Sequence, residues 1–286
     1  MRLARARALL CAARDGADMN PILEHNRRVW DERVQTQQRF TATASAKEME
    51  TPLRTIDPLG WLGSDVTGQR ILCLGAGGGK HGPLLAAAGA HVTVVDISPE
   101  MLRLDREMAQ THRLQIETIA ASIDDLAGLP DTNYDAVMQP VSTCYVPDIH
   151  LAYRELARVT RPGAVYISRH KQPTSLQVGL SPGPQGFVIG EPYYLNGPLT
   201  PAAQTGPHRE RGAMEFLHRW DDLLGGLCRA GFVIEEVFEP KMGDASAAPG
   251  SFEYRCHYLP PYIQLRARRT DKPAAPASAL WMPAVS

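Results

Sequence analysis

A strand that runs straight into a cluster of glycines, followed by a second strand that ends in an acid, leaves few folds open. Here the pattern is Ile71-Leu-Cys-Leu-Gly-Ala-Gly-Gly-Gly79 followed by Val94-Val-Asp96. The chain has to turn from strand to helix at once while a ligand lies against the turn. Gly75 permits the tight turn, and Gly77 and Gly79 keep Cβ atoms away from a backbone that must touch the ligand. Asp96, 21 residues after Gly75, closes the second strand, where a carboxylate accepts hydrogen bonds from two ribose hydroxyls.

The surrounding residues alternate between strand and helix patterns, which predicts a parallel α/β sheet. Strands are expected over 70–74, 91–95, 115–120, 134–138 and 164–168. Helices are expected near 83–89, 99–112 and 149–159, with Pro83 in a first turn, Gly89 as a stop and Arg161-Pro-Gly163 as a breaker. Upstream, Pro21 to about Phe40 reads as a helix with Leu23, Trp30 and Val34 as its apolar positions, and a linker leads to Trp61. Downstream, Met214, Leu217, Leu224 and Leu227 sit at helical spacing before Gly231, and strands over 232–238 and 258–267 close the chain. Between these parts lies an insertion, 171–212, that carries Tyr193 and Tyr194. Its stretch 172–207 holds 7 prolines and 6 glycines with Glu191 as the one charged residue. No spanning helix tolerates that composition, and a lid or small cap over a pocket is the expectation.

Composition removes other classes. With 30 basic against 31 acidic residues, there is no electrostatic footprint for nucleic acid and no polybasic membrane surface. The five cysteines are odd in number and scattered, without a CxxC pair, which reads as free thiols in a reducing, cytoplasmic setting. The Arg-rich residues 1–18 read as a flexible extension with Met19 as a natural start, and the Ala- and Pro-rich 271–286 as a flexible tail.

The cofactor can be narrowed further. A dinucleotide loop counted from Gly75 would place its third glycine where Lys80 stands. A shifted match, Gly77-x-Gly79-x-x-Gly82, begins beyond the strand. The spacing GxGxG suits a nucleotide–methionine cofactor better, because that ligand has no pyrophosphate to rest on a helix N-terminus.

At this point the chain resembles the class I S-adenosylmethionine-dependent methyltransferases, and within them the small-molecule branch with the methyltransferase type 11 core. The resemblance covers about Gly68 to Ser168. It rests on Leu74-Gly-Ala-Gly-Gly-Gly79, Val95-Asp-Ile-Ser98 with Met101-Leu102, Ser122-Ile-Asp-Asp-Leu126, Tyr134-Asp-Ala-Val137, Tyr145-Val-Pro-Asp148 and Arg158-Val-Thr-Arg-Pro-Gly163. It implies a Rossmann-like, seven-stranded mixed sheet with helices on both faces, plus the N-terminal helix and the cap insertion. The division is then a helical cap over 19–67 and a methyltransferase domain over 68–270. It also implies that Gly75, Ala76, Gly77 and Gly79 line the methionine and ribose of the cofactor, that Asp96 binds the ribose, and that Ile97 and Met101 pack on the adenine. Ser122 stands where many members carry an acid, Ile123 supplies a backbone contact, and Gln139 and Pro140 run beside the sulfonium. Cys73, at a position often acidic, is a second departure from the family pattern.

Catalytic residues are harder to read, because displacement at a sulfonium carbon demands alignment and dehydration rather than one residue type. Tyr145 stands where some members place a histidine, and it orients a substrate or packs under the insertion. His170 follows the fifth strand as a candidate base, with Arg169 beside it for an anionic substrate group. Trp30, Tyr193 and Tyr194 complete the candidate substrate wall. His25, His208, His218 and His257 lack the tight spacing of metal ligands, so no metal is expected. Cys144 reads as a small buried residue. The sequence therefore predicts methyl transfer from S-adenosylmethionine to a small-molecule acceptor. An NAD(P)-dependent oxidoreductase and a non-catalytic cofactor-binding protein are the alternatives. The acceptor and the oligomeric state are left open.

Overall fold

A computed structural model describes residues 20–202 and 208–271; the expected extension at 1–18, Cys11 and almost all of the expected tail lie outside the described residues. Helix α1 (Pro21–Gln35) starts where Asn20 caps the Ile22 N–H at 3.0 Å and Pro21 enters the first turn. It stops short of the expected Phe40, because Gln37 and Phe40 adopt φ of 51° and 72°. The expected linker carries two short helices, α2 (Ala46–Glu50), closed by a Ser45–Glu48 capping box, and α3 (Pro52–Ile56).

The sheet is built from β1 (Arg70–Leu74), α4 (His81–Ala87), β2 (His91–Asp96), α5 (Pro99–His112), β3 (Ile116–Ala120), β4 (Tyr134–Gln139), α6 (Ile149–Val159) and β5 (Thr160–Lys171). There follow α7 (Pro173–Leu176), α8 (Gly226–Arg229), β6 (Phe232–Phe238), α9 (Phe252–Tyr258) and β7 (Tyr262–Arg269). The seven strands lie in the order β3-β2-β1-β4-β5-β7-β6, all parallel except β7, which runs antiparallel to both of its neighbours. Alternation along β1 sends Leu72 and Leu74 into the core shared with α6 and α8, and Ile71 and Cys73 into the core on the other face. The chain goes from β1 to β2 on one side and returns to β4 on the other. The carboxyl ends of β1 and β4 thus form the switch point where open α/β sheets bind ligands.

Three further elements differ from expectation. The helix of 214–227 is confined to a single π-type turn at Asp221–Gly225 and to α8. The preceding residues are extended because the Phe216 N–H bonds the Cys144 carbonyl at 2.7 Å and the Glu215 carbonyl receives the Leu199 N–H at 2.7 Å. The last strand begins at Tyr262, not Tyr258, since Tyr258 ends α9 and Pro260-Pro261 intervene. Strand β5 runs on to Lys171, past the expected Ser168, because β7 pairs with it to its end.

Candidate functional site

A cavity of about 620 Å³ opens at the switch point. Gly75 sits at its floor with φ of 58°, and a Cβ there would stand 2.6 Å from the Ser142 Cβ. Gly77 has a different reason to be glycine. Its Cβ would fall 2.8 Å from the Met101 Cβ and 3.0 Å from the Asp96 Oδ2, so the crowding comes from the residues expected to hold the ligand. The Gly77 N–H donates to Asp96 Oδ2 at 2.9 Å and the Ser98 N–H to Oδ1 at 2.9 Å. Each carboxylate oxygen retains a further lone pair, so this aspartate at the end of β2 fits a pair of ribose hydroxyls. Burial pushes Asp96 up to about 6, against the pull of those backbone N–H groups.

Two further acids support this floor, and no sequence pattern marks either of them. Asp105 on α5 accepts the Gly78 N–H at 2.9 Å while its Oδ1 is buried without a partner, and burial raises it to about 7. Asp31 on α1 receives the Ser98 hydroxyl at 2.6 Å and Arg27 at 2.6 Å, tying the N-terminal helix to the start of α5.

Gly75, Ala76, Gly77, Asp96, Ile97, Met101, Ser122, Ile123 and Pro140 line the cavity, as do Trp30, Tyr145 and Arg169. Gly79 and Gln139 are not on its wall. The Gly79 carbonyl receives the Ala44 N–H at 2.9 Å. The Gln139 amide is held inside, donating to Ser142 Oγ at 2.9 Å and receiving the Tyr166 hydroxyl at 2.6 Å.

Strand alternation separates Arg169 from His170. Arg169 faces the cavity, whereas fully buried His170 sits between Thr143 Oγ1 at 2.9 Å and Ser168 Oγ at 2.7 Å. Burial lowers His170 to about 3, so at neutral pH it is an uncharged core group away from the cavity. Tyr193 and Tyr194 also lie off the wall. Tyr193 packs on Leu176, Leu199 and Leu217, and Tyr194 is 75% exposed. Leu23, Phe40, Met242 and Phe252 add apolar side chains to the cavity wall beside Trp30.

Opposite the glycine floor stands a buried charge network that the sequence did not reveal. The Tyr145 hydroxyl donates to Glu210 Oε2 at 2.6 Å, and the Lys171 ammonium donates to the same oxygen at 2.7 Å and to Glu215 Oε1 at 2.5 Å. Arg209 closes the set on Glu215 Oε2 at 2.6 Å. Burial opposes the charge on Lys171, but the two carboxylates outweigh it and hold the ammonium above its usual range. Burial, then the Glu210 charge, raises the Tyr145 phenol well above its usual value, so it stays protonated. Trp30 meets the Tyr145 ring edge-on at 5.5 Å. Asn26 clamps α1 in place by donating to the Tyr145 carbonyl and the Met214 carbonyl, each at 3.0 Å. Among the described residues no three His, Cys, Asp or Glu side chains gather as a metal site. His218 is engaged by the Thr143 and Val146 carbonyls at 3.0 and 3.1 Å.

Known proteins resemble this chain in sequence and in fold. Residues 72–168 match the family described as a methyltransferase domain. The uncharacterized methyltransferase YbaJ of Bacillus subtilis (strain 168) is 30% identical over 239 residues, covering 79% of this chain and 93% of that protein. The ubiquinone biosynthesis O-methyltransferase of Xanthomonas oryzae pv. oryzae (strain PXO99A) is 31% identical over 118 residues, 40% of this chain and about half (49%) of that protein. Among solved structures, an S-adenosylmethionine-dependent methyltransferase from Mesorhizobium loti shares the fold with a TM-score of 0.60. It is 24% identical, over 77% of this chain and 100% of that one.

Proposed function

The chain belongs to the S-adenosylmethionine-dependent methyltransferases, and from that premise we propose that it methylates a small molecule held at the Tyr145 end of the cavity. The observation that carries the reading is continuity. One cavity joins the glycine floor and Asp96 to Trp30, Tyr145 and Arg169, with room beyond the cofactor residues for a compact second ligand. In this reading Gly75, Ala76, Gly77, Asp96, Ile97, Met101, Ser122, Ile123 and Pro140 hold the cofactor. Segment 19–67 acts as the cap, supported by Leu23, Trp30 and Phe40 on the cavity wall. When bound, that cofactor supplies a methyl group activated on a sulfonium.

The remaining work falls to this chain's side chains. Tyr145 is anchored as a donor to Glu210, so its oxygen is left to accept a hydrogen bond from the acceptor's O–H or N–H and to fix its lone pair in line. Trp30 and Phe252 dehydrate the space between. A near-neutral chain without a basic face supports a small molecule over nucleic acid. A reducing, cytoplasmic setting belongs to the same reading and is supported by the free thiols Cys73, Cys144, Cys228 and Cys256.

The test is a calorimetric titration with S-adenosylhomocysteine and NAD, followed by a turnover screen of small-molecule acceptors against transfer RNA and a histone-type peptide. The expected result is one-to-one binding of S-adenosylhomocysteine, none of NAD, and release of S-adenosylhomocysteine with small acceptors alone. Turnover confined to the macromolecules would overturn the reading, and binding without any turnover would leave the non-catalytic alternative.

A further inference from the structure

Two guanidiniums on the cavity wall, Arg39 and Arg169, enter no ion pair among the described residues; Arg39 lies 5.1 Å from the Phe40 ring centre, and Arg169 stands on β5. Arg169 and Lys171 lie on the same face of β5, yet their surroundings are opposite. Lys171 is held by Glu210 and Glu215, whereas Arg169 enters none of the ion pairs found among the described residues. Its Nε and Nη2 donate to the Gln264 side-chain oxygen at 3.0 and 2.5 Å, with that amide turned to satisfy both groups, and its guanidinium lies 5.5 Å over the Tyr262 ring. Both contacts fix the orientation of the guanidinium and neither neutralises it. A half-buried, pre-oriented guanidinium without an acid is the arrangement in which a carboxylate gains most, through paired charge-assisted hydrogen bonds.

Distance from Asp96 favours the second ligand over the cofactor as the source of that carboxylate. Three strand intervals separate β5 from β2 in the sheet order, which at about 4.8 Å each puts Arg169 roughly 14 Å across from the strand carrying Asp96. The cavity wall also carries the aromatic Tyr145, Phe252 and Tyr262, the last of them under the guanidinium. We propose that Arg169 receives the carboxylate of an aromatic methyl acceptor. The inference rests on the methyl-transfer reading and narrows its acceptor.

The test uses benzoate and its uncharged counterpart benzamide, titrated into the full chain saturated with S-adenosylhomocysteine. Benzoate is expected to bind at least tenfold tighter than benzamide. Arg169→Met should abolish that preference while S-adenosylhomocysteine affinity stays within twofold, and Arg169→Lys should restore part of it. Equal binding of the two probes to the unaltered protein, or an undiminished preference in Arg169→Met, overturns the proposal. So does an Arg169→Met variant that loses affinity for S-adenosylhomocysteine but not for 5′-methylthioadenosine, because the guanidinium would then serve the cofactor's own carboxylate. If the unaltered protein binds no S-adenosylhomocysteine, the methyl-transfer reading itself fails and takes this inference with it. That outcome is separable from the others because it appears before either probe is added.

Discussion

The two ends of the cavity are held together by different means. At the glycine end, backbone N–H groups are clamped by carboxylates close along the chain: Gly77 by Asp96 nineteen residues on, and Gly78 by Asp105 twenty-seven residues on. At the tyrosine end, side chains from distant segments meet. Tyr145 and Glu210 are 65 residues apart, Lys171 and Glu215 are 44 apart, and Asn26 and Met214 are 188 apart. The first end is an extension of the strand–turn–helix unit. The second is an assembly of side chains from separate segments. In the proposed reading the cofactor rests on the local unit and the acceptor on the assembled one.

The sharpest way to break the comparison is Gly77→Val. Its Cβ would displace Met101 and Asp96 together, so S-adenosylhomocysteine binding should fall more than about 100-fold, or roughly 3 kcal/mol, while far-UV circular dichroism stays native. Ordinary affinity in that variant would place the ligand elsewhere. Lys171→Met strikes the other end. It leaves Glu210 and Glu215 buried without their shared cation, which should lower unfolding stability by about 3–5 kcal/mol in urea titrations. Adding Glu210→Gln should recover part of the loss. If the ends are as separate as their construction implies, the folded Lys171→Met protein keeps its S-adenosylhomocysteine affinity within about threefold. A collapse of that affinity would show that the two ends act as one.

The same contrast explains what could be read from the sequence. The parallel strands, the glycine turn and the acid at the end of β2 are local patterns, and the structure puts Gly75, Gly77 and Asp96 together on one wall. Gln139 stands at the expected strand end, but its side chain is claimed by Tyr166 and Ser142, partners that only the folded sheet brings within reach. Pairing Arg169 with His170 as site residues conflicts with strand alternation, and β5 resolves the conflict in favour of Arg169. The insertion's composition singled out Tyr193 and Tyr194, whereas among its described residues the one on the cavity wall is Glu210, near its far end. No local spacing distinguishes Glu210 from a solvated glutamate, because its partners Tyr145 and Lys171 lie 65 and 39 residues away. Burial in a network is a property of the fold.

The smallest expected effect follows from Asp96, the acid on the cavity wall at the glycine end. Burial, the largest influence, raises Asp96 to about 6. Ribose hydroxyls donate to the ionised carboxylate and so favour it over the protonated form. Binding is therefore at full strength where Asp96 is already ionised, above about pH 6, and weakens as the pH falls and a proton must be released for the ligand to bind. A group at about 6 implies roughly tenfold weaker S-adenosylhomocysteine binding at pH 5 than at pH 8, since one pH unit below the pKa corresponds to about 1.4 kcal/mol. His81, on the same wall, is lowered by burial to about 4 and stays neutral through this range. Asp96→Asn should bind more weakly at pH 8 and lose the pH dependence, because the amide does not titrate. A slope retained in Asp96→Asn would assign the proton to another group, with Asp105 beneath the glycine turn, raised by burial to about 7, as the next to replace.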